Sequence, residues 1–457
     1  MPASSRNTAL LWIVASGFFM QTLDTTIVNT ALPSMANALG EQPLDMLPVV
    51  VAYSLTMAML TPASGWLADR FGTRRIYFLA ILLFVIGSVL CAASQSLPEL
   101  VTARVVQGIG GSMLLPIGRL AVLRSVTGEQ YIAALAIVSI AGQVGPLIGP
   151  VLGGWIAQCL AWNWIFLINI PIGLLGMAAV RRFLTDDALQ QPPPFDFVGC
   201  GLLSLCMATF SLALDMPRGS HHGVLSAVLL AVSVAAALCY IPHARHRKNP
   251  LFSLSLFGQR NFSVGLVGNL VCRIGSGAVP FLLPLLMQLQ LGYSPLHSGL
   301  MLLPAALGGI ASKRWVVPLV RRFGYNRFLL VNTVLVGASI ASFSLIAPGW
   351  PLPLELLQIF VFGATNSLQF AAMNSVTLKG LDSRDAGSGN SLFSMVQILA
   401  IGIGVIIGGS VVNLLSASTG EAALAYRWAF IVVGMFTLAS GVIFRALEAD
   451  RQGVTTQ

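Results

Sequence analysis

Gly142-Gln143-Val144-Gly145-Pro146-Leu147-Ile148-Gly149-Pro150-Val151-Leu152-Gly153-Gly154-Trp155 sets a string of glycines and prolines inside an otherwise apolar span about one membrane thick. In water such a string weakens a helix. In a bilayer, lipid removes the hydrophobic drive between helices. Small residues then let two backbones approach closely, and prolines are tolerated where neighbours satisfy the freed carbonyls. Gly142, Gly145, Pro146, Gly149, Pro150, Gly153 and Gly154 therefore read as a helix seam. Two readings of it stand side by side: a contact that opens and shuts in a conformational cycle, or the static packing of a helix pair.

The surrounding composition supports the membrane reading. Of 457 residues, 56% are hydrophobic and only 9% charged, too little polar surface to cover a soluble globule of that length. An all-α polytopic membrane protein is predicted. The net charge of +9 sits in short loops between apolar runs, where it signals topology and not nucleic-acid binding. No zinc spacing, P-loop or nucleotide fingerprint argues otherwise. Cys91, Cys159, Cys200, Cys206, Cys239 and Cys272 fall within or at the ends of apolar stretches, so they read as packing residues, and neither metal nor cofactor is expected. One arginine precedes a first hydrophobic segment that holds Asp24 and has no small-residue cleavage site, so this segment reads as a retained span.

Apolar runs broken at charge and turn clusters number about fourteen. Of the 25 Lys and Arg residues, Arg218 and Arg427 fall in loops on one side and Arg104 and Arg273 within spans, while the rest share the side of the two termini. Both termini are thereby predicted to be cytoplasmic. The chain also repeats itself. Arg70-Phe71-Gly72 recurs as Arg322-Phe323-Gly324, the Gly149…Gly153-Gly154 pattern as Gly404…Gly408-Gly409, and Trp164 as Trp428. Spans one to six thus match spans nine to fourteen, the parallel two-bundle symmetry of secondary transporters. The predicted organisation is a six-helix bundle over 1–185, an inserted two-helix hairpin over 186–245 and a second six-helix bundle with a short tail over 246–457. The hairpin lies between the Pro192-Pro193-Pro194 break and the basic segment His243 to Lys248.

These motifs resemble those of the major facilitator superfamily and, within it, the fourteen-span drug:proton antiporter branch. Leu23-Asp24-Thr25-Thr26-Ile27-Val28-Asn29-Thr30-Ala31-Leu32-Pro33 is similar to that branch's acidic first-helix motif. Gly65-Trp66-Leu67-Ala68-Asp69-Arg70-Phe71-Gly72-Thr73-Arg74-Arg75 is similar to the superfamily's loop motif, and Arg104-Val105-Val106-Gln107-Gly108-Ile109-Gly110-Gly111 to its fourth-helix motif. The opening string is similar to the fifth-helix motif of antiporters. The resemblance implies two bundles plus two inserted helices, export driven by the proton motive force, and a latch between bundles at Gly65, Asp69, Arg70, Gly72 and Arg74. In the second copy of the loop motif Arg321 stands where Asp69 stands, so the acidic role does not carry over.

Charges inside the bilayer carry the energetic argument, since each costs at least about 2.5–3.5 kcal/mol without a partner, water or a task. The first helix runs outward and the fourth inward. At about 1.5 Å per residue, Asp24 lies roughly 20 Å from the cytoplasmic start and Arg104 roughly 9 Å below the outer surface. Asp24, Arg104 and Gln107 thus read as a proton-coupling set, or Asp24 and Arg104 as a purely structural pair. Arg273, roughly 18 Å into the ninth helix, reads as a substrate residue with Asn29, Asn269, Asn366 and Gln369, or as a residue paired to a helix-end carbonyl. No second acid is expected to balance it. A basic, amide-rich cavity favours anions over lipophilic cations.

The expected function is a proton-coupled exporter of small molecules, monomeric and multi-pass in a bacterial inner membrane, of the multidrug-resistance type. A dedicated exporter of organic anions or metal chelates such as citrate-like compounds is the alternative, and a transporter-derived sensor without coupled flux a second. Isolated charges argue against a channel, which needs continuous polar rings. His221, His222, His243, His246 and His297 sit in loops, which argues against an enzyme. Reporter fusions after His246 and at the carboxyl terminus are expected to report cytoplasm, and one near His221 the periplasm. A periplasmic carboxyl terminus excludes an even number of spans.

Overall fold

Apolar spans must satisfy every backbone hydrogen bond internally and so fold as helices. The computed structural model is helical, with no strand among the described residues. It describes the backbone of residues 3–125, 129–184, 194–215, 220–379, 381 and 386–447, and side chains over 10–122, 141–184, 194–214, 223–379, 381 and 387–447. Pro192 and Pro193, Arg218, the side chains of His221 and His222, and the tail 448–457 lie outside the described residues.

In chain order the helices are α1 (Ala3–Leu39), α2 (Leu47–Leu60), α3 (Ser64–Phe71), α4 (Thr73–Ala93), α5 (Leu97–Ser125), α6 (Glu129–Cys159), α7 (Trp164–Leu167) and α8 (Asn169–Phe183). They continue as α9 (Phe197–Asp215), α10 (Ser220–His246), α11 (Arg260–Leu289), α12 (Pro295–Met301), α13 (Leu303–Ser342), α14 (Leu352–Leu378), α15 (Ala386–Thr419) and α16 (Ala422–Phe444). The chain divides into two units, Met1–Ser204 with Tyr293–Leu300, and Leu205–Gly292 with Met301–Gln457.

The first unit is built on glycine contacts. Gly142, Gly145, Gly149 and Gly153 of α6 face Phe18, Thr22, Thr26 and Ile27 of α1 in turn, so closely that a Cβ at any of them would overlap its neighbour. Thr22 spends its hydroxyl on the Phe18 carbonyl of its own helix, at 2.9 Å, which leaves no unsatisfied group in the seam from that side chain. Gly154 faces elsewhere, onto the Pro295 carbonyl, while Gly299 faces the Pro150 carbonyl. Leu296 N–H donates to Gln158 Oε1 at 3.2 Å. The segment 293–300 therefore packs on α6 within this unit, although the sequence repeat assigns it to the second bundle.

The second unit reuses the same joinery. Gly404 and Gly408 of α15 approach Ile274 and Leu282 of α11, and Gly363 of α14 meets the Ala305 carbonyl of α13, as Gly110 of α5 meets Phe84 and Ala80 of α4. Its core includes Cys272, Phe328, Leu329, Met373 and Phe444. The loop-motif repeat has one backbone cause. Gly72 and Gly324 both adopt positive φ, 93° and 75°, a region closed to ordinary L-residues, and each breaks a helix directly after Arg-Phe.

Among the described residues, twelve segments are long and apolar enough to cross a membrane, fewer than the fourteen expected. One of them, Pro295–Leu345, is 51 residues long and is interrupted at Gly324. The 31-residue α6 stands outside the twelve, with the side chains of its first turns undescribed. Of the inserted helices, α10 is only 17% buried over its apolar window, against 72% for α11. Tyr240 ties it down: its hydroxyl donates to the Phe252 carbonyl at 2.9 Å and accepts from the Phe252 N–H at 2.8 Å.

Gly149→Val is expected to destabilise the first unit by about 1–3 kcal/mol through overpacking against Thr26, with transport turnover falling more than expression. Gly201→Val, where no atom lies within 4 Å of an added Cβ, is expected to change neither. Thermal melting of the purified proteins and uptake in whole cells check the pair.

Candidate functional site

Thr22 and Thr26 turn one face of α1 to the glycine seam, and Asp24, two residues from each, points to the opposite side. There it meets α5. Arg104 Nη1 lies 2.6 Å from Asp24 Oδ2, with the side chains 1% and 0% exposed. The same Nη1 donates to Gln107 Oε1 at 2.6 Å, the contact expected of residues three apart on one helix. Gln107 Nε2 in turn donates to Asp24 Oδ1 at 2.8 Å and to Ser88 Oγ at 2.9 Å. All three predicted members of the proton-coupling set are thus in mutual contact.

Four further participants were not singled out in the sequence. Asn169, in the first turn of α8, donates from Nδ2 to Asp24 Oδ1 at 3.2 Å and to Ser88 Oγ at 3.3 Å. Tyr53 lays its ring 4.1 Å from the Arg104 guanidinium carbon, a desolvated cation–π contact. The Val49 carbonyl accepts from Arg104 Nε at 3.1 Å. An amide in an otherwise apolar span marks Asn169 after the fact. Nothing in the sequence distinguishes Tyr53, Ser88 or Val49 from core residues.

Asn29, a turn and a half beyond Asp24, is 8% exposed and its Oδ1 has no hydrogen-bond partner among the described residues. The loop motif lies at the connection between α3 and α4. Gly72 makes the turn between α3 and α4, and Arg74 donates from Nη2 to the Arg181 carbonyl at the end of α8, at 2.6 Å. Asp69 is half-buried and Arg70 exposed, while no atom lies within 4 Å of a Cβ placed at Gly65. Pro146 and Pro150 sit inside α6.

In the second unit the amides separate into three groups. Asn332 Nδ2 donates to Gln369 Oε1 at 2.8 Å and to the Thr365 carbonyl at 2.9 Å, and Gln369 Nε2 donates to Thr333 Oγ1 at 2.7 Å. Gln397 donates to Asn374 at 2.7 Å. Asn269 is fully buried, yet neither amide atom has a hydrogen-bond partner among the described residues. One turn on, Arg273 Nε has no hydrogen-bond partner among the described residues, and the guanidinium stacks 4.1 Å from the centre of the Phe370 ring. Asn366, a turn before Phe370 on α14, is half-buried. Gln369 therefore belongs to a closed network, whereas Arg273 and Asn269 retain hydrogen-bonding capacity.

The second half does hold a further buried acid, Glu355, 0% exposed, within the apolar segment Leu352–Leu378. It sits in the first turn of α14, where a helix N-terminus favours negative charge, and so it reads in the sequence as a boundary residue. It lies about 22 Å along the helix from Phe370 and does not balance Arg273.

The sequence profile of the Major Facilitator Superfamily matches residues 14–405. The chain belongs to the Major Facilitator Superfamily. It is 46% identical over 449 residues to "Putative multidrug resistance protein MdtD" of Pectobacterium carotovorum, covering 96% of each chain. It is 48% identical to the protein of the same name in Cronobacter sakazakii, covering 96% of this chain and 94% of that one. The fold is similar to that of a POT family transporter solved with 5-aminolevulinic acid, with a TM-score of 0.72 at 15% identity, covering 95% of this chain and 94% of the other. The chain is thus a multi-pass membrane transporter, not an enzyme.

Proposed function

We propose that this transporter exports small molecules from a bacterial cytoplasm by exchange with protons, crossing the inner membrane fourteen times with both termini inside. The Asp24–Arg104 contact carries the reading. The helix α1 carries two kinds of contact: Asp24 makes a charge contact to α5 on one face and, on the other, Thr22 and Thr26 pack in the glycine seam to α6. A proton taken by Asp24 leaves a neutral acid facing a buried guanidinium, so protonation and movement of α1 against α5 are linked. Because α1 and α6 meet almost backbone to backbone, they move together, and the displacement reaches the segment packed on Gly154 and Pro150. Gln107 and Asn169 keep the carboxylate oriented between cycles. Exchange with protons follows the antiporter-type seam, and the name of the relatives supports a drug-like cargo. Fourteen crossings follow from taking α6 as one and the two arms of Pro295–Leu345 on either side of Gly324 as two.

Arg273 supports a second reading of the cargo. A guanidinium with a free Nε, stacked on Phe370 beside an unsatisfied Asn269, suits a carboxylate-bearing anion through charge-assisted, fork-like hydrogen bonds.

Asp24→Asn is expected to abolish uphill flux in inverted membrane vesicles energised by a proton gradient. Removing one partner of a buried pair costs about 3–5 kcal/mol, so Asp24→Asn/Arg104→Gln is the companion variant. It is expected to recover stability and remain inactive. Uphill flux by either variant removes Asp24 from the coupling.

The cargo is tested in the same vesicles with ethidium and a radiolabelled dicarboxylate. Under the anion reading, Arg273→Lys weakens dicarboxylate uptake and Arg273→Ala nearly abolishes it. Ethidium uptake unaltered by Arg273→Ala, with no dicarboxylate uptake in the parent, leaves a conventional multidrug pump.

A further inference from the structure

The second copy of the loop motif replaces an acid by a base, Arg321 for Asp69, and the structure places that base in a cavity. A surface pocket of about 520 Å³ opens beside Gly324 in the second unit, lined by Arg321, Arg322, Tyr325, Ser375, Lys379 and an apolar wall that includes Val317. The positive φ of Gly324 creates it. The first arm of α13 ends on Arg321 and Arg322, and the break turns Tyr325 back toward the end of α14. There its hydroxyl and that of Ser375 are 2.6 Å apart, and Lys379 Nζ lies 5.3 Å from the ring centre. Three cations from two helices thus converge on the pocket.

The surroundings identify the kind of anion. Trp315, Val317 and Phe323 are 52%, 56% and 48% exposed, on a segment apolar enough to cross the bilayer. Aromatic residues exposed at a helix end mark the headgroup level of a membrane. A ligand that meets the cations at one end and the valine wall at the other is amphipathic. Basic pockets between membrane helices bind anionic phospholipid headgroups in this way.

We propose that Arg321, Arg322 and Lys379, with the Tyr325–Ser375 hydroxyl pair, form a binding site for the phosphate of an anionic phospholipid such as phosphatidylglycerol or cardiolipin, whose acyl chains lie along the Val317 wall. The guanidinium groups donate charge-assisted hydrogen bonds to the phosphate oxygens, and Lys379 supplies a point charge. The site stands independently of the cargo and of proton coupling.

Native mass spectrometry of the full-length protein, released from nanodiscs of phosphatidylethanolamine doped with phosphatidylglycerol or cardiolipin, tests it. The wild type is expected to retain the anionic lipid in preference to phosphatidylethanolamine. Arg321→Ser/Arg322→Ser/Lys379→Ser is expected to lose that preference by about fivefold per cation removed, whereas Arg245→Ser/Lys248→Ser, at the exposed end of α10, keeps it. Equal loss in both variants, or no preference in the wild type, overturns the proposal. A photoactivatable phosphatidylglycerol analogue covers the case in which the triple variant does not fold. Its wild-type crosslinks are expected within 315–325 and 375–379, and crosslinks confined elsewhere overturn the site. Inorganic phosphate separates the headgroup from a free anion. Complete displacement of the analogue by millimolar phosphate makes this a phosphate site and defeats the lipid assignment.

Discussion

Asp24 and Arg104 are almost completely removed from solvent, and the first unit is arranged around that fact. A buried carboxylate and guanidinium are tolerable only when their remaining hydrogen-bonding positions are filled, and the filling comes from all around. Val49 and Tyr53 are supplied by α2, Ser88 by α4, Gln107 by α5, the Phe166 ring by α7 and Asn169 by α8. With α1 itself, these helices have one polar point in common. Displacing any of them changes the environment of the pair, and changing the charge of the pair alters what each of them contacts. The proposed coupling of proton occupancy to helix movement rests on this shared point.

The second unit has the same glycine joints and a different polar interior. Where the first concentrates charge, the second holds a neutral chain of Asn332, Gln369 and Thr333, in which Asn332 donates to Gln369 and Gln369 to Thr333. Its deeply placed Arg273 leans on an aromatic ring. A repeat that conserves backbone contacts while its polar residues diverge permits the two halves to do different chemistry on one scaffold. A closed amide network resists rearrangement, while a stacked guanidinium has donors to offer a ligand.

Much of this was legible in the sequence because a bilayer leaves few options. The Gly142 to Gly154 string announced close helix contact, and α1 is the partner. Asp24, Arg104 and Gln107 stood out because charge in an apolar span is expensive. Their meeting needed only helical rise and span direction. The legible part ended where a residue's role depends on its neighbours. Tyr53 has the composition of a core aromatic and becomes a cation platform only because α2 passes under Arg104. Asn269 and Gln369 are alike in sequence, but one is isolated and the other networked, a distinction set by which faces of α11 and α14 turn inward. Glu355 was lost at a helix boundary. The attachment of 293–300 to α6 was hidden because the repeat argued for the opposite assignment.

Gly72 and Gly324 impose a constraint of another kind. Both turns combine a positive φ with an extended ψ, 138° at Gly72 and 158° at Gly324, a region that is essentially glycine's alone and costs other residues about 1–3 kcal/mol. Every non-synonymous single-base change to a glycine codon introduces a side chain or a stop. At these two positions any such change strains the turn, even at Gly324, where an added Cβ meets no atom within 4 Å. Chirality alone thus restricts these two connectors to glycine, whereas the charge beside them differs between the two repeats, Asp69 in one and Arg321 in the other.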